Sequence, residues 1–68
     1  MNDRIDGYIS VINERWAYYG HTNRQPLTRS EVGYCIGVGV TLDQLYSIAC
    51  DVNAGFTVQE SIMAGVES

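Results

Sequence analysis

Residues 27–45 read Leu-Thr-Arg-Ser-Glu-Val-Gly-Tyr-Cys-Ile-Gly-Val-Gly-Val-Thr-Leu-Asp-Gln-Leu, and one pattern occurring twice in this stretch decides the fold. Thr28 stands three residues before Glu31, and Thr41 three before Gln44. In such a capping box the Thr hydroxyl accepts the backbone N–H three residues on, and the Glu or Gln side chain reaches back to the Thr N–H. Leu27 and Val32 bracket the first box, and Val40 and Leu45 the second, in the positions of a hydrophobic staple. Each Thr therefore starts a helix. One covers about residues 29–38, and the next runs to about Asn53 with Leu42, Leu45, Ile48, Ala49 and Val52 on one face.

The pattern extends in both directions. Thr57-Val-Gln-Glu60 is a third box, opening a short helix with Val58, Ile62 and Val66 at four-residue spacing. Gly39-Val-Thr-Leu and Gly55-Phe-Thr-Val are alike at a 16-residue offset, which reads as one helix-starting device used twice. Upstream, Ile5, Tyr8, Ile9, Ile12, Trp16 and Tyr19 form a single amphipathic stripe over residues 4–19. Asp3 fits its N-cap, and Gly20 the left-handed residue beyond its end. Residues 21–27, with Asn23 and Pro26 and no periodicity, read as a loop. Gly37-Val-Gly-Val is too short and too rich in glycine for a strand. The expectation is an all-α fold, a small bundle of three to four short helices in one domain over 1–68.

With 68 residues, a domain of this size has a small core, and such domains usually carry a staple: a disulfide, a metal or a second copy of the chain. Cys35 and Cys50 could make one bridge, but nothing marks the chain as secreted, so both read as reduced, small apolar side chains. One histidine, His21, and no C-x-x-C pair argue against zinc. Self-association remains. No apolar run approaches the roughly 20 residues of a membrane span. The expected setting is cytoplasmic, with no cofactor and no metal.

Charge is distributed unevenly. The four cations, Arg4, Arg15, Arg24 and Arg29, lie in the first 30 residues with three acids, giving +1. From residue 31 onward stand Glu31, Asp43, Asp51, Glu60 and Glu67 with no cation, giving −5. Phosphate binding draws on Lys and Arg, so this acidic half disfavours nucleic acid.

Residues 31–50 resemble the helix-turn-helix motif of DNA-binding regulators. Cys35 falls where that motif holds a small residue at the helix crossing, and Gly39 where it holds its turn glycine. Tyr34, Val38, Val40, Leu45 and Ile48 fall on its apolar positions. The resemblance implies that helix 41–52 reads bases. Its outward positions are Asp43, Gln44, Ser47 and Asp51, with Tyr46 at the margin. Gln44 and Ser47 suit base contacts, whereas Asp43 and Asp51 would face phosphates. Residues 31–67, through Gly39-Val40-Thr41, are also similar to ubiquitin-associated-type three-helix domains.

Two faces remain to be explained. In the second helix Val32, Cys35 and Ile36 form one stripe, and Tyr34 and Val38 lie on the opposite side. A helix apolar all round is covered all round. Either the first, third and fourth helices wrap it, or something outside the chain covers Tyr34 and Val38, with Gly33 and Gly37 letting a backbone approach. On the first helix Val11 and Tyr18 lie off the main stripe. Near its end Arg15, Trp16, Tyr18, Tyr19, His21 and Arg24 crowd together, and Tyr, Trp and Arg dominate binding hot spots. Trp16 and Tyr19 are expected in the core, and Tyr18 and the arginines outside it.

Catalysis has little support. His21 has no partner that sequence can place, Cys50 has no neighbouring cation to lower its pKa, and no phosphate loop is present. The expectation is a small acidic non-enzymatic protein that binds a protein. By size and charge it resembles the accessory and inhibitor proteins of phages and mobile elements, anti-CRISPR proteins among them. It would act sterically on a host nucleic-acid-handling protein, as a homodimer through Val11, Tyr18, Tyr34 and Val38. The expected partner-binding residues are Arg15, Tyr18, Arg24, Tyr34, Val38, Asp43, Gln44, Tyr46 and Ser47. The competing expectation is a helix-turn-helix transcriptional regulator.

Overall fold

Each of the three boxes is formed in the structure, a computed structural model that describes residues 3–67, with side chains placed for residues 4–65. The hydroxyls of Thr28, Thr41 and Thr57 accept the N–H of Glu31, Gln44 and Glu60 at 3.1–3.2 Å. The three returning side chains accept the Thr N–H groups at 2.8–2.9 Å. The helices follow as α1 (Asp3–Tyr18), α2 (Arg29–Val38), α3 (Leu42–Asn53) and α4 (Val58–Glu67). There is no strand among the described residues. Asp3 is itself helical, within α1 rather than at its N-cap. The Val66 position of the α4 stripe lies outside the described side chains.

The helix ends are as regular as the starts. After α1, Gly20 takes φ +87° and its N–H bonds the Ala17 carbonyl, while the His21 N–H reaches back to the Trp16 carbonyl. After α2, Gly39 takes φ +100°, its N–H bonds the Ile36 carbonyl, and the Val40 N–H reaches Cys35. These paired bonds are the Schellman closure, which needs a left-handed residue that glycine adopts without a Cβ penalty. The Gly55 and Phe56 N–H groups repeat it onto Val52 and Asp51. The likeness of residues 39–42 and 55–58 is thus a likeness of junctions: one glycine ends a helix, and two residues later a threonine begins the next.

The helices pack in the order α2, α1, α3, α4, with α1 against both α2 and α3, and α3 against both α1 and α4. The core holds Ile12 and Trp16 from α1, Leu27 from the loop, Val32 and Cys35 from α2, Leu45, Ile48 and Ala49 from α3, and Val58 from α4. Ile5, Tyr8 and Ile9 pack partly buried against it. The backbone measures 29 × 28 × 16 Å. Two helices packed about 8–10 Å apart, each with a backbone radius near 2.3 Å, fill that 16 Å. In a slab two helices deep, none is covered all round. α2 is therefore not a central wrapped helix.

The candidate interaction surface

At the end of α1, the chain folds back over Trp16. The His21 ring lies on the indole, 3.6 Å between centroids and 11° from parallel. The indole Nε1 donates to the Asn23 carbonyl at 2.9 Å. His21 Nε2 and the Tyr46 hydroxyl are hydrogen-bonded at 3.0 Å, and Asn23 donates to the Asn53 side chain at 2.8 Å. Gln25 braces the rest of the loop by bonding both the N–H and the carbonyl of Leu27. The loop is thus held to α3 by polar side chains, and His21 has a structural place.

Tyr19, expected in the core, is 62% exposed. α1 ends at Tyr18, so Tyr19 leaves the helical stripe before reaching its inward position, and His21 covers Trp16 instead. Tyr19 rests against Tyr18 and Tyr46, at 5.3 and 5.1 Å between ring centroids. Tyr18 is 83% exposed. Tyr46 is half-buried among these rings. Burial, then the Cys50 thiol by hydrogen bond and by charge, then Tyr19, push the Tyr46 phenol up from its ordinary range.

The arginines have different surroundings. Arg15 pairs with Asp43 at 2.7 Å, so these two candidate residues meet each other, a surface contact of small energetic weight. Arg29 pairs with Asp6. Arg24 is exposed and borders a hollow of about 220 Å³ beside Trp16 and His21.

On α2, Tyr34 and Val38 are 49% and 52% exposed. Gly33 faces inward, where an added Cβ would come 3.2 Å from the Ile5 side chain, while Gly37 faces open space. Ile5 and Tyr18 stand at opposite ends of α1, about 20 Å apart at 1.5 Å per residue. The candidate dimer residues Tyr18 and Tyr34 consequently belong to different ends of the molecule. Val11 is half-buried.

On α3, Gln44 and Ser47 line a trough of about 630 Å³ that α3 shares with α4 and the end of α2, Val38 included. Asp51, expected to point outward, lies in the same trough and its Oδ2 accepts the buried Ser61 hydroxyl at 2.6 Å. Asp43, Gln44 and Ser47 are exposed. α4 along the Asp51 edge is the feature that sequence reading missed. The Thr57 box announces α4, but no local signal says which side of α3 it takes.

The two thiols are free. Burial, and then the charge of Glu31, raise the Cys35 pKa. Among the described residues, no group of three His, Cys, Asp or Glu side chains could hold a metal ion. None of the helices among the described residues is long and apolar enough to cross a membrane. No protein-family model, curated protein or solved structure matches the chain.

Proposed function

We propose that the chain is a non-catalytic binding protein that acts sterically on a nucleic-acid-handling protein, in the manner of a phage or mobile-element inhibitor. The observation that carries this reading is the exposure of Tyr18, Tyr19, Tyr34 and Val38 on so small a body. They form two separate patches, Tyr18 with Tyr19 at the end of α1 and Tyr34 with Val38 on α2. Exposed large apolar side chains mark interaction surfaces, and Tyr is a favoured hot-spot residue. The uneven charge indicates the kind of partner. A half at −5 complements a basic face built for DNA or RNA, and complementary charge speeds association.

Self-association fits α2 better than the other helices. Arg29 and Glu31 leave α2 neutral, so two copies can approach through Tyr34 and Val38 without repulsion. α3 and α4 carry Asp43, Asp51, Glu60 and Glu67 and would repel a copy of themselves. The regulator reading draws support from the Gly39 turn and buried Cys35. It is weakened by Asp43 and Asp51 on the reading helix and by α4 along its edge.

The test is photocrosslinking in the producing cell with benzoylphenylalanine at Tyr18 or at Tyr34. An adduct with a basic nucleic-acid-handling protein is expected. Adducts to DNA, together with a low-salt gel shift specific for the DNA upstream of the gene, would establish the regulator instead.

A further inference from the structure

We propose that the trough between α3 and α4 seats a basic amphipathic helix of the partner protein. This rests on the protein-binding reading above and names its site and the chemistry of the bound segment. Half-buried Val40 and Ile62 and buried Ile48 give the trough an apolar floor, and exposed Gln44 and Ser47 form its α3 edge. Its volume is about 630 Å³. On α3 the trough runs from Gln44 to Asp51, about 10 Å at 1.5 Å per residue, the span of two turns of an incoming helix. Helices that dock in grooves do so through apolar anchors at i, i+3 or i+4, and i+7.

Charge selects the occupant. Asp51 lies in the trough, and α3 and α4, which build its walls, carry four acids, Asp43, Asp51, Glu60 and Glu67, and no Lys or Arg. A helix whose apolar stripe is flanked by Lys or Arg gains on both counts. A second copy of the chain, at −4, does not, and phosphate backbones are repelled by the same carboxylates. The ends of the trough are fixed independently of any ligand. The Gly39 closure holds Val40 at one end, and the Ser61–Asp51 bond holds α4 against α3. The site is therefore present before binding, which lowers the ordering cost of association.

The test is an NMR titration of the ¹⁵N-labelled full chain with a synthetic Lys/Leu amphipathic helix of about four turns. One control has Glu in place of Lys, and a second has the Leu stripe scrambled. Shifts at Val40, Ser47, Ile48 and Ile62 are expected with the Lys peptide. Binding is expected to be about tenfold weaker for either control, since a like-charged flank is repelled and a broken stripe has no anchors. Ser47→Arg, and Ala64→Arg as a second exposed position, should weaken the Lys peptide about tenfold with unchanged thermal unfolding. Equal affinity for the Lys and Glu peptides, or shifts absent from the trough, overturns the proposal. Shifts centred on Tyr18 or Tyr34 overturn the trough assignment and leave the broader protein-binding reading intact. Loss of the crosslinked protein partner removes that broader reading.

Discussion

The buried Ser61 hydroxyl of α4 donates to Asp51 Oδ2 of α3 at 2.6 Å, a side-chain hydrogen bond that joins the two helices. Hydrogen bonds to charged groups contribute more than neutral ones, and an acceptor left without its donor loses more than the bond's net worth. Ser61→Ala should therefore lower stability by about 1–2 kcal/mol, read from urea unfolding. No change would mean that Val58 and Ile62 alone hold α4.

The three boxes allow a graded test. Thr28→Ala, Thr41→Ala and Thr57→Ala should each cost about 1 kcal/mol, with the Thr→Gly variants losing only a few tenths. Denaturant midpoints of the six variants check this. A cost near zero at all three positions would show that packing alone sets the helix starts.

Alkaline pH should weaken the fold. Cys35 is held above its ordinary 9.0 by burial and then Glu31, and Tyr46 above its ordinary 10.0. Between the unfolded and folded values the unfolded chain releases a proton that the native chain keeps, so stability falls as pH rises. The contribution is fully present below about pH 9 and is lost through the higher folded pKa. Thermal unfolding from pH 8 to 11 should show the decline, and Cys35→Ala should make it shallower. A flat profile would contradict the burial assigned to Cys35.

Exposure and burial separate the aromatic side chains. Tyr18→Ala and Tyr34→Ala should stay within about 0.5 kcal/mol of the parent, because both rings are exposed. Trp16→Ala should cost about 3–5 kcal/mol, because the ring is 2% exposed and its indole N–H is bonded. Circular dichroism with chemical denaturation makes the comparison. Unfolding by Tyr34→Ala would place that ring in the core.

Much of the fold is legible in the sequence because it is written in local chemistry. Thr28, Thr41 and Thr57 with their N3 partners mark three helix starts, and Gly20, Gly39 and Gly55 stand just past three helix ends. Tyr19 was misplaced because a periodic stripe says nothing of where the helix stops. The Gly20 position does contain that information: in a Schellman closure the residue after the glycine packs on the residue four before it, which pairs His21 with Trp16. The trough is not legible at all. It depends on how α4 lies against α3, through a Ser61–Asp51 bond between residues ten apart whose types carry no pairing code. Exposure of Tyr34 and Val38 follows from a slab only 16 Å deep, a property of the whole arrangement rather than of α2.

Sedimentation equilibrium over a wide concentration range tests most directly whether another molecule covers the α2 face. The chain should approach twice its 7.5 kDa mass at high concentration, and Tyr34→Ala with Val38→Ala should return it to a monomer with its helicity intact. A parent that stays at 7.5 kDa throughout would contradict self-association through Tyr34 and Val38.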